Sequence, residues 1–237
     1  MSSVRVFGWL DVARLGLVQA CMGAVVVVTT STLNRIMVVE LALPALLPGL
    51  LVALHYLVQM VRPRMGFGAD QGRRCSPWML GGVTVLAAGG LLASVATVLM
   101  QTAFGWGLGL CILAFTMIGL GVSACGTSLL VLMAKRVPDS RRAPAATLVW
   151  MMMILGFAMT AVTVGKLIDP YTPAQLIRVT AGLAVLVIGV AALSLWGLEG
   201  QDTRSVKAAS AGELPQQKQS ASKFKETLRQ VWRERQA

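Results

Sequence analysis

The sequence has few charged side chains for its length, and this scarcity excludes most classes of soluble protein. Only 13% of its 237 residues are charged, whereas a soluble domain carries about 25%. The charges lie in clusters between apolar runs, 56% of the residues are hydrophobic, and the mean hydropathy is +0.71. Uncharged runs of about 20 residues are long enough to cross a bilayer as helices. The sequence therefore predicts an all-α, polytopic membrane protein.

Residues suited to metal, redox or nucleophilic chemistry are also scarce. There is one histidine, and the four cysteines show neither C-x-x-C spacing nor a neighbouring histidine. Such cysteines are typical of small packing residues and not of a disulfide framework or a metal site. No catalytic triad, P-loop, zinc motif or Rossmann fingerprint is found. We therefore predict no catalytic residue, no metal site and no enzymatic activity.

Six apolar runs predict six transmembrane spans. They cover residues 15–33, 44–61, 78–100, 105–133, 145–168 and 173–198. The first run continues with apolar residues as far as residue 41. Small residues recur in these runs, as in Gly105-x-x-x-Gly109, Gly119-x-Gly121 and Gly49-x-x-x-Ala53. Such spacings let helix backbones approach closely, and ordinary packing within the bundle is the preferred interpretation over a dimer face.

The net charge of +11 indicates the orientation of the spans. On a soluble protein this charge would suggest nucleic acid, but no nucleic-acid signature is present, and we predict no such partner. In a membrane protein, Lys and Arg collect in the cytoplasmic loops. The heavily basic segments precede span one and follow spans two, four and six, so six alternating spans place all of them on one side. Both termini are therefore predicted to be cytoplasmic.

The composition changes abruptly after Glu199. Residues 200–221 are polar and are predicted to form a flexible linker. Residues 222–237 are predicted to form a basic amphipathic helix, since four apolar residues recur at helical spacing. They are Phe224, Leu228, Val231 and Trp232. This helix suits the cytoplasmic membrane surface, with packing against another protein as the alternative. The chain thus divides into a bundle (1–199), the linker and the helix.

Four polar residues in or near the membrane are candidates for function. His55 lies about 11 residues into span two, which is roughly 16 Å deep and near the bilayer midplane. A neutral imidazole there can ligate the magnesium of a chlorin or hydrogen-bond another helix. Asn34, Arg35 and Glu40 lie at the outer end of span one and are predicted polar contacts. Because Arg35 and Glu40 are five residues apart, they are poor helical partners, and each faces a cavity, another helix or the interface.

The basic loop after span two carries a recognisable motif. Residues 66–74 read GFGADQGRR and resemble the cytoplasmic motif G-x-L-A-D-x-x-G-R-R/K between the second and third helices of major facilitator superfamily proteins. The residues that match are Gly66, Asp70, Gly72, Arg73 and Arg74. This copy lacks one residue between Asp70 and Gly72, and Gly68 stands where leucine is usual.

Further segments extend the resemblance to most of the apolar chain. They are TLNRIMVVEL (32–41), ALHYLVQMVRPRMGF (53–67), GTSLL (126–130) and VWMMM (149–153). Together they resemble the PucC/LhaA family, which are major-facilitator-like proteins of photosynthetic bacteria linked to the assembly of light-harvesting antenna complexes. Family members normally have twelve spans in two halves. The chain resembles the N-terminal six-helix half and the central linker, which implies half of a major facilitator fold.

The resemblance implies an assembly factor for antenna complexes in the bacterial inner, intracytoplasmic photosynthetic membrane, one that holds or delivers bacteriochlorophyll. It makes His55 the candidate pigment ligand. The implied partners are antenna subunits and membrane lipid. Further partners that the resemblance allows are pigment-synthesis enzymes and either a second six-helix half or another copy of the chain. Two alternatives stay open. A major-facilitator-type transporter of a small molecule or pigment precursor is suggested by residues 66–74, and a structural antenna subunit by the many small residues.

Overall fold

The computed structural model describes residues 7–62 and 74–199, all of which belong to one unit, Ser3–Glu199. Four residues of the loop motif, Gly66, Asp70, Gly72 and Arg73, lie outside the described residues. So do the predicted linker (200–221) and the predicted basic helix (222–237), which both stay predictions.

The described residues form six helices and no strand. They are α1 (Trp9–Glu40), α2 (Leu46–Val58), α3 (Ser76–Leu99), α4 (Phe104–Arg136), α5 (Asp139–Leu167) and α6 (Pro173–Leu195). Five of them are long and apolar enough to cross a membrane, and the shorter α2 is apolar too. The prediction of an all-α, polytopic membrane protein is confirmed, whereas the likeness to half of a major facilitator fold stays a prediction.

The second predicted span is shorter as an α-helix than its apolar run suggested. The run covers residues 44–61, but α2 has 13 residues, or about 20 Å of helix. A 3₁₀ turn, Gln59–Val61, continues it. This turn carries the chain onward by about 2 Å per residue, so helix and turn together approach the length of the apolar run.

Helix α1 is irregular in its second half. Two π-helical segments, Val28–Thr32 and Ile36–Glu40, flank the short α-helical segment Leu33–Arg35. Within the first of them, the Thr29 hydroxyl lies 3.0 Å from the Val26 carbonyl oxygen, and the Thr30 hydroxyl lies 2.7 Å from the same oxygen. Threonine hydroxyls compete with backbone amides for helix carbonyls, which favours a local change of helical period. Hydrophobic periodicity alone did not reveal these segments.

The end of α1 needs an unusual backbone conformation. Ala42 has φ = +50°, and the Leu43 amide donates to the Met37 carbonyl at 3.0 Å. A backbone bond that reaches back over a left-handed residue closes many helices, and that residue is usually glycine. Here the bond joins residues six apart, one more than in the usual motif, in keeping with the π-helical end of α1. An alanine there carries a steric cost that glycine would not.

Helices α3 and α4 are in backbone contact. A Cβ built on Gly82 would lie 2.6 Å from the Cys125 amide nitrogen, and one on Gly121 would lie 2.6 Å from the Gly82 carbonyl oxygen. Real side chains do not fit at such distances. On its other side α4 meets α2, where a Cβ on Gly119 would lie 2.8 Å from the His55 carbonyl oxygen. The predicted close approach at Gly119 and Gly121 is therefore confirmed.

The other small-residue positions behave differently. A Cβ built on Gly49, Gly105 or Gly109 would meet no heavy atom within 4 Å in the part of the chain that the structure describes. These glycines do not pack against a neighbouring helix of this bundle.

Two contacts bring basic segments of the sequence to one end of the bundle. The Phe7 amide donates to the Arg136 carbonyl at 3.0 Å, which joins the start of α1 to the end of α4. The Glu199 carboxylate accepts the amides of Cys75 at 2.9 Å and Ser76 at 2.8 Å. A carboxylate at a helix N-terminus satisfies otherwise unpaired amides and favours the helix dipole. Glu199 thus ties the end of α6 to the start of α3.

Candidate functional site

A cavity of about 310 Å³ lies between α1, α2, α4 and α5. Most of its wall is apolar and comes from all four helices. The apolar lining includes Met22, Val122, Leu129, Val149, Met153 and Phe157. Its polar lining includes Gln19, His55, Gln59 and Arg62. Largely apolar walls with a few polar groups are typical of sites for small ligands.

His55 is held in this cavity by the residues that follow it on α2. Its side chain is only 1% exposed, and its Nε2 lies 2.7 Å from the Gln59 Nε2 one helical turn later. The Arg62 guanidinium in turn donates to the Gln59 Oε1. A guanidinium has donors only, so the amide oxygen of Gln59 must face Arg62 and its NH₂ group must face His55. The His55 Nε2 therefore accepts, and the neutral ring carries its proton on Nδ1.

Two buried polar atoms of the cavity wall have no hydrogen-bond partner among the described residues, His55 Nδ1 and Gln19 Oε1. Gln19 is 8% exposed, and its Nε2 donates to the Met153 sulfur at 3.2 Å. A thioether only accepts, which fixes the amide orientation and leaves the oxygen unpaired. Each unpaired buried group costs about 1–3 kcal/mol. Two side chains of the cavity wall thus each hold one unpaired buried polar atom, a donor on His55 and an acceptor on Gln19.

The geometry at His55 does not fit the magnesium of a bacteriochlorophyll. Ligation needs a nitrogen lone pair, but the lone pair of Nε2 is engaged by Gln59 and Nδ1 carries the proton. The cavity volume of about 310 Å³ lies at the lower end for drug-sized ligands, and a chlorin with its tail is larger than these. Pigment ligation by His55 stays a prediction, and it requires Gln59 to move away from Nε2.

The predicted polar contacts of α1 lie elsewhere. Asn34 is half-buried, Arg35 and Glu40 are exposed, and none of the three lines the cavity. Within the described ranges, Arg35 and Glu40 do not pair with each other. Glu40 instead lies near Tyr171. Their roles as functional polar contacts stay predictions.

A small polar cluster forms around Tyr171, between α5 and α6. Gln101 donates to the Tyr171 hydroxyl at 3.1 Å. Burial raises the pKa of Tyr171, and the nearby Glu40 carboxylate adds to this effect, while the hydrogen bond from Gln101 opposes it. The end of α1 and the two connections α3–α4 and α5–α6 meet here, which sequence spacing did not indicate.

One residue of the loop motif can be located. Arg74 is exposed immediately before α3, while the carboxylate at the N-terminus of that helix is the one of Glu199. No cluster of three or more His, Cys, Asp or Glu side chains that could hold a metal ion occurs in residues 7–62 and 74–199.

Three residues of the cavity and the helix cap were missed by sequence reasoning. Gln19 is a lone amide inside the first apolar run, and Gln59 follows His55 by four residues, which places both on one helix face. These two signals were available in the sequence. For Glu199 no local signal existed, because its partner Ser76 is 123 residues away.

Comparison with known proteins gives a family match and several relatives. The family model described as "PUCC protein" matches residues 32–237. The "Bacteriochlorophyll synthase 44.5 kDa chain" of Rhodobacter capsulatus is 47% identical over 230 residues, which cover 97% of this chain and 51% of that protein. No solved structure matches the chain.

Two relatives carry the name "Protein PucC". The one from Cereibacter sphaeroides is 31% identical over 198 residues, covering 78% of this chain and 43% of that protein. The one from Rhodobacter capsulatus is 30% identical over 215 residues, covering 85% and 46%. The chain therefore spans about half the length of the curated relatives it matches.

Proposed function

We propose, from the premise that this chain belongs to the PucC protein family, that it assists the assembly of light-harvesting antenna complexes in photosynthetic bacteria. The observation that carries the proposal is the family match over residues 32–237. The names of the relatives, two of them PucC and one a bacteriochlorophyll synthase chain, support a role in photosynthesis. In this role the chain holds newly inserted antenna subunits while a complex forms.

The exposed face of α5 is the surface best suited to holding a membrane helix. Residues 143–165 of this helix carry no charge. The exposed large apolar side chains within this uncharged stretch are Trp150, Met151, Ile154, Leu155, Met159 and Val162. In a bilayer, helices associate through van der Waals packing and not through the hydrophobic effect. A broad apolar face therefore supports reversible binding of single-span subunits, as temporary assembly requires.

The proposal assigns no catalysis to the chain, although one relative is named as a synthase chain. The basic nitrogen of His55 is engaged by Gln59, and the rest of the cavity wall is mainly apolar. We place the chain in the inner photosynthetic membrane with both termini cytoplasmic. The contact of Phe7 with Arg136, which joins two basic segments at one end of the bundle, supports this orientation.

Gentle-detergent purification of the tagged chain from photosynthetic membranes tests the proposal. We expect antenna subunits to co-purify at sub-stoichiometric levels, as identified by mass spectrometry. The double variant Ile154→Ala/Leu155→Ala trims the exposed face of α5 and is expected to lower their recovery several-fold. The matched control, Val185→Ala/Leu186→Ala, trims two exposed residues of α6 and should leave recovery unchanged.

Absence of antenna subunits from the wild-type preparation would contradict the proposal. Equal recovery with both double variants would reject α5 as the holding surface. Stoichiometric presence in mature complexes would indicate the structural-subunit alternative, and substrate flux in proteoliposomes would indicate the transporter. The His55→Ala variant tests pigment handling separately, since selective loss of bacteriochlorophyll absorption would support ligation through His55.

A further inference from the structure

The cavity beside His55 has chemistry that the assembly role does not use. His55 Nδ1–H is a buried donor without a partner, and Gln19 Oε1 is a buried acceptor without a partner. Both side chains line the same cavity. Native proteins leave few such groups unpaired, and each one calls for an explanation such as an absent ligand or water.

The two free atoms together select the polar group of a ligand. A ketone, ester or ether oxygen could accept from His55 but could not donate to Gln19. A carboxylate also lacks a donor, and an ammonium lacks an acceptor. Both ions would in addition lose their hydration in a cavity whose wall is mostly apolar, which is costly, and the Arg62 guanidinium at the wall already donates to Gln59. A hydroxyl group is uncharged and both donates and accepts, so it can satisfy His55 and Gln19 at once.

The rest of the cavity selects an apolar body. Met22, Met153 and Phe157 contribute to the wall, and methionine side chains adapt to ligands of different shape. Tyr56 and Trp150 line the cavity and are also exposed on the outer surface of the bundle. An apolar molecule dissolved in the membrane could therefore enter between α2 and α5.

We propose that this cavity binds a small, uncharged, apolar alcohol whose hydroxyl group bridges His55 Nδ1 and Gln19 Oε1. The inference does not rest on the proposed antenna-holding role, although Trp150 belongs both to that face and to the cavity wall, and His55 is also the candidate pigment ligand. Water could also satisfy the two atoms, because the wall carries polar side chains and the cavity has room for several water molecules, but water would leave the apolar part of the wall without contacts. An alcohol with an aliphatic chain fills the apolar part as well.

Photolabelling of the full chain in detergent tests this proposal. The probe is a fatty alcohol that carries a diazirine in its chain, and the control probe is its methyl ether, which accepts a hydrogen bond but cannot donate one. After irradiation, mass spectrometry of peptides locates the label. We expect label on cavity residues such as Met153 and Phe157, several-fold more with the alcohol than with the ether, and competition by excess unlabelled alcohol.

Two variants and one matched control make the test specific. Gln19→Leu removes the acceptor and should lower alcohol labelling to the level of the ether, without affecting the ether. It removes an unpaired buried group, so folding should not suffer. Gly126→Leu should abolish labelling by both probes, because a Cβ there meets only the Met22 Cε, at 3.6 Å, and a larger side chain fills the cavity. Gln101→Leu alters a glutamine outside the cavity and should change nothing.

Three results would overturn the proposal. Equal labelling by alcohol and ether in the wild-type chain would show an apolar site without hydroxyl recognition. Unchanged alcohol labelling in Gln19→Leu would remove Gln19 from the site. No cavity label from either probe would mean that the cavity does not bind an apolar alcohol.

Discussion

The α3–α4 interface and the region around His55 are built on opposite plans. Between α3 and α4, Gly82 and Gly121 bring the backbones into contact and leave no room for a side chain. Around His55, α1, α2, α4 and α5 enclose a cavity in which two polar atoms stay unpaired. Helix α4 belongs to both regions, because Gly121 faces α3 and Gly119 faces α2. One helix thus joins a tightly packed part of the bundle to an open part.

The comparison suggests a division of labour within the bundle. Close backbone contact in the membrane depends on small residues, and such contact resists rearrangement because interiors are closely packed. The open region combines a cavity with unpaired polar atoms. A ligand that enters such a region can form hydrogen bonds that the protein itself does not make. Stability should therefore depend on close backbone contacts such as the one between α3 and α4, and binding on the cavity beside His55. Close contacts also border the cavity, because a Cβ on Gly156 would lie 2.7 Å from the Ala20 carbonyl oxygen.

The largest expected effect comes from adding one methyl group to the tight interface. Gly82→Ala places a Cβ 2.6 Å from the Cys125 amide nitrogen, whereas Gly81→Ala meets no atom of the described residues within 4 Å. Both variants gain similar helix propensity, so their difference isolates the clash. We expect Gly82→Ala to be less stable by about 2–3 kcal/mol, as measured by unfolding in detergent followed by circular dichroism. Equal stability of the two variants would contradict the tight interface.

A smaller effect is expected at the cap of α3. Glu199→Ala removes the carboxylate that accepts the amides of Cys75 and Ser76. We expect a loss of about 1–2 kcal/mol in the same unfolding measurement. Glu199→Gln retains an acceptor oxygen but no charge, and it should lose roughly half as much. If Glu199→Gln lost as much stability as Glu199→Ala, the charge of the carboxylate, and not its hydrogen bonds, would be what stabilises the cap.

The smallest effects concern two left-handed residues. Gly197 has φ = +69° after α6, and Ala42 has φ = +50° after α1. Because a Cβ is unfavourable in this conformation, we expect Gly197→Ala to destabilise the chain by about 1 kcal/mol and Ala42→Gly to stabilise it by up to about 1 kcal/mol. Thermal midpoints in detergent measure both. A stabilising Gly197→Ala, or a destabilising Ala42→Gly, would reject the steric account of these helix ends.

Most of the helical framework was predictable because it depends on local composition. An apolar run of sufficient length forms a helix in the membrane whatever its neighbours are. Accordingly, five of the six predicted spans correspond to long apolar helices, and the remaining one, span two, corresponds to the shorter α2. The π-helical segments of α1 were missed, because periodicity assigns one helical period to a whole run. The hydroxyls of Thr29 and Thr30 were a local signal for the first of the two segments.

The candidate site was predictable only in part. His55 stood out as the single histidine in an apolar span, but its state depends on Gln59, Arg62 and the cavity wall. Arg35 and Glu40 stood out by charge, yet they lie outside the cavity. A charged residue in an apolar span is costly to bury in the membrane, and this marks it in the sequence. The sequence does not show which residues of other helices will contact it.

By itself the sequence determined the class of protein, the helices and, through its motifs, the family. These properties follow from composition and from the order of residues within short segments. Only the tertiary structure decided that Gln19 of α1 and His55 of α2 share a cavity, and that Glu199 caps a helix that begins 123 residues earlier. The physical reason is that a buried polar atom is satisfied or left unpaired by atoms from other helices, and the packing of the bundle determines which atoms those are.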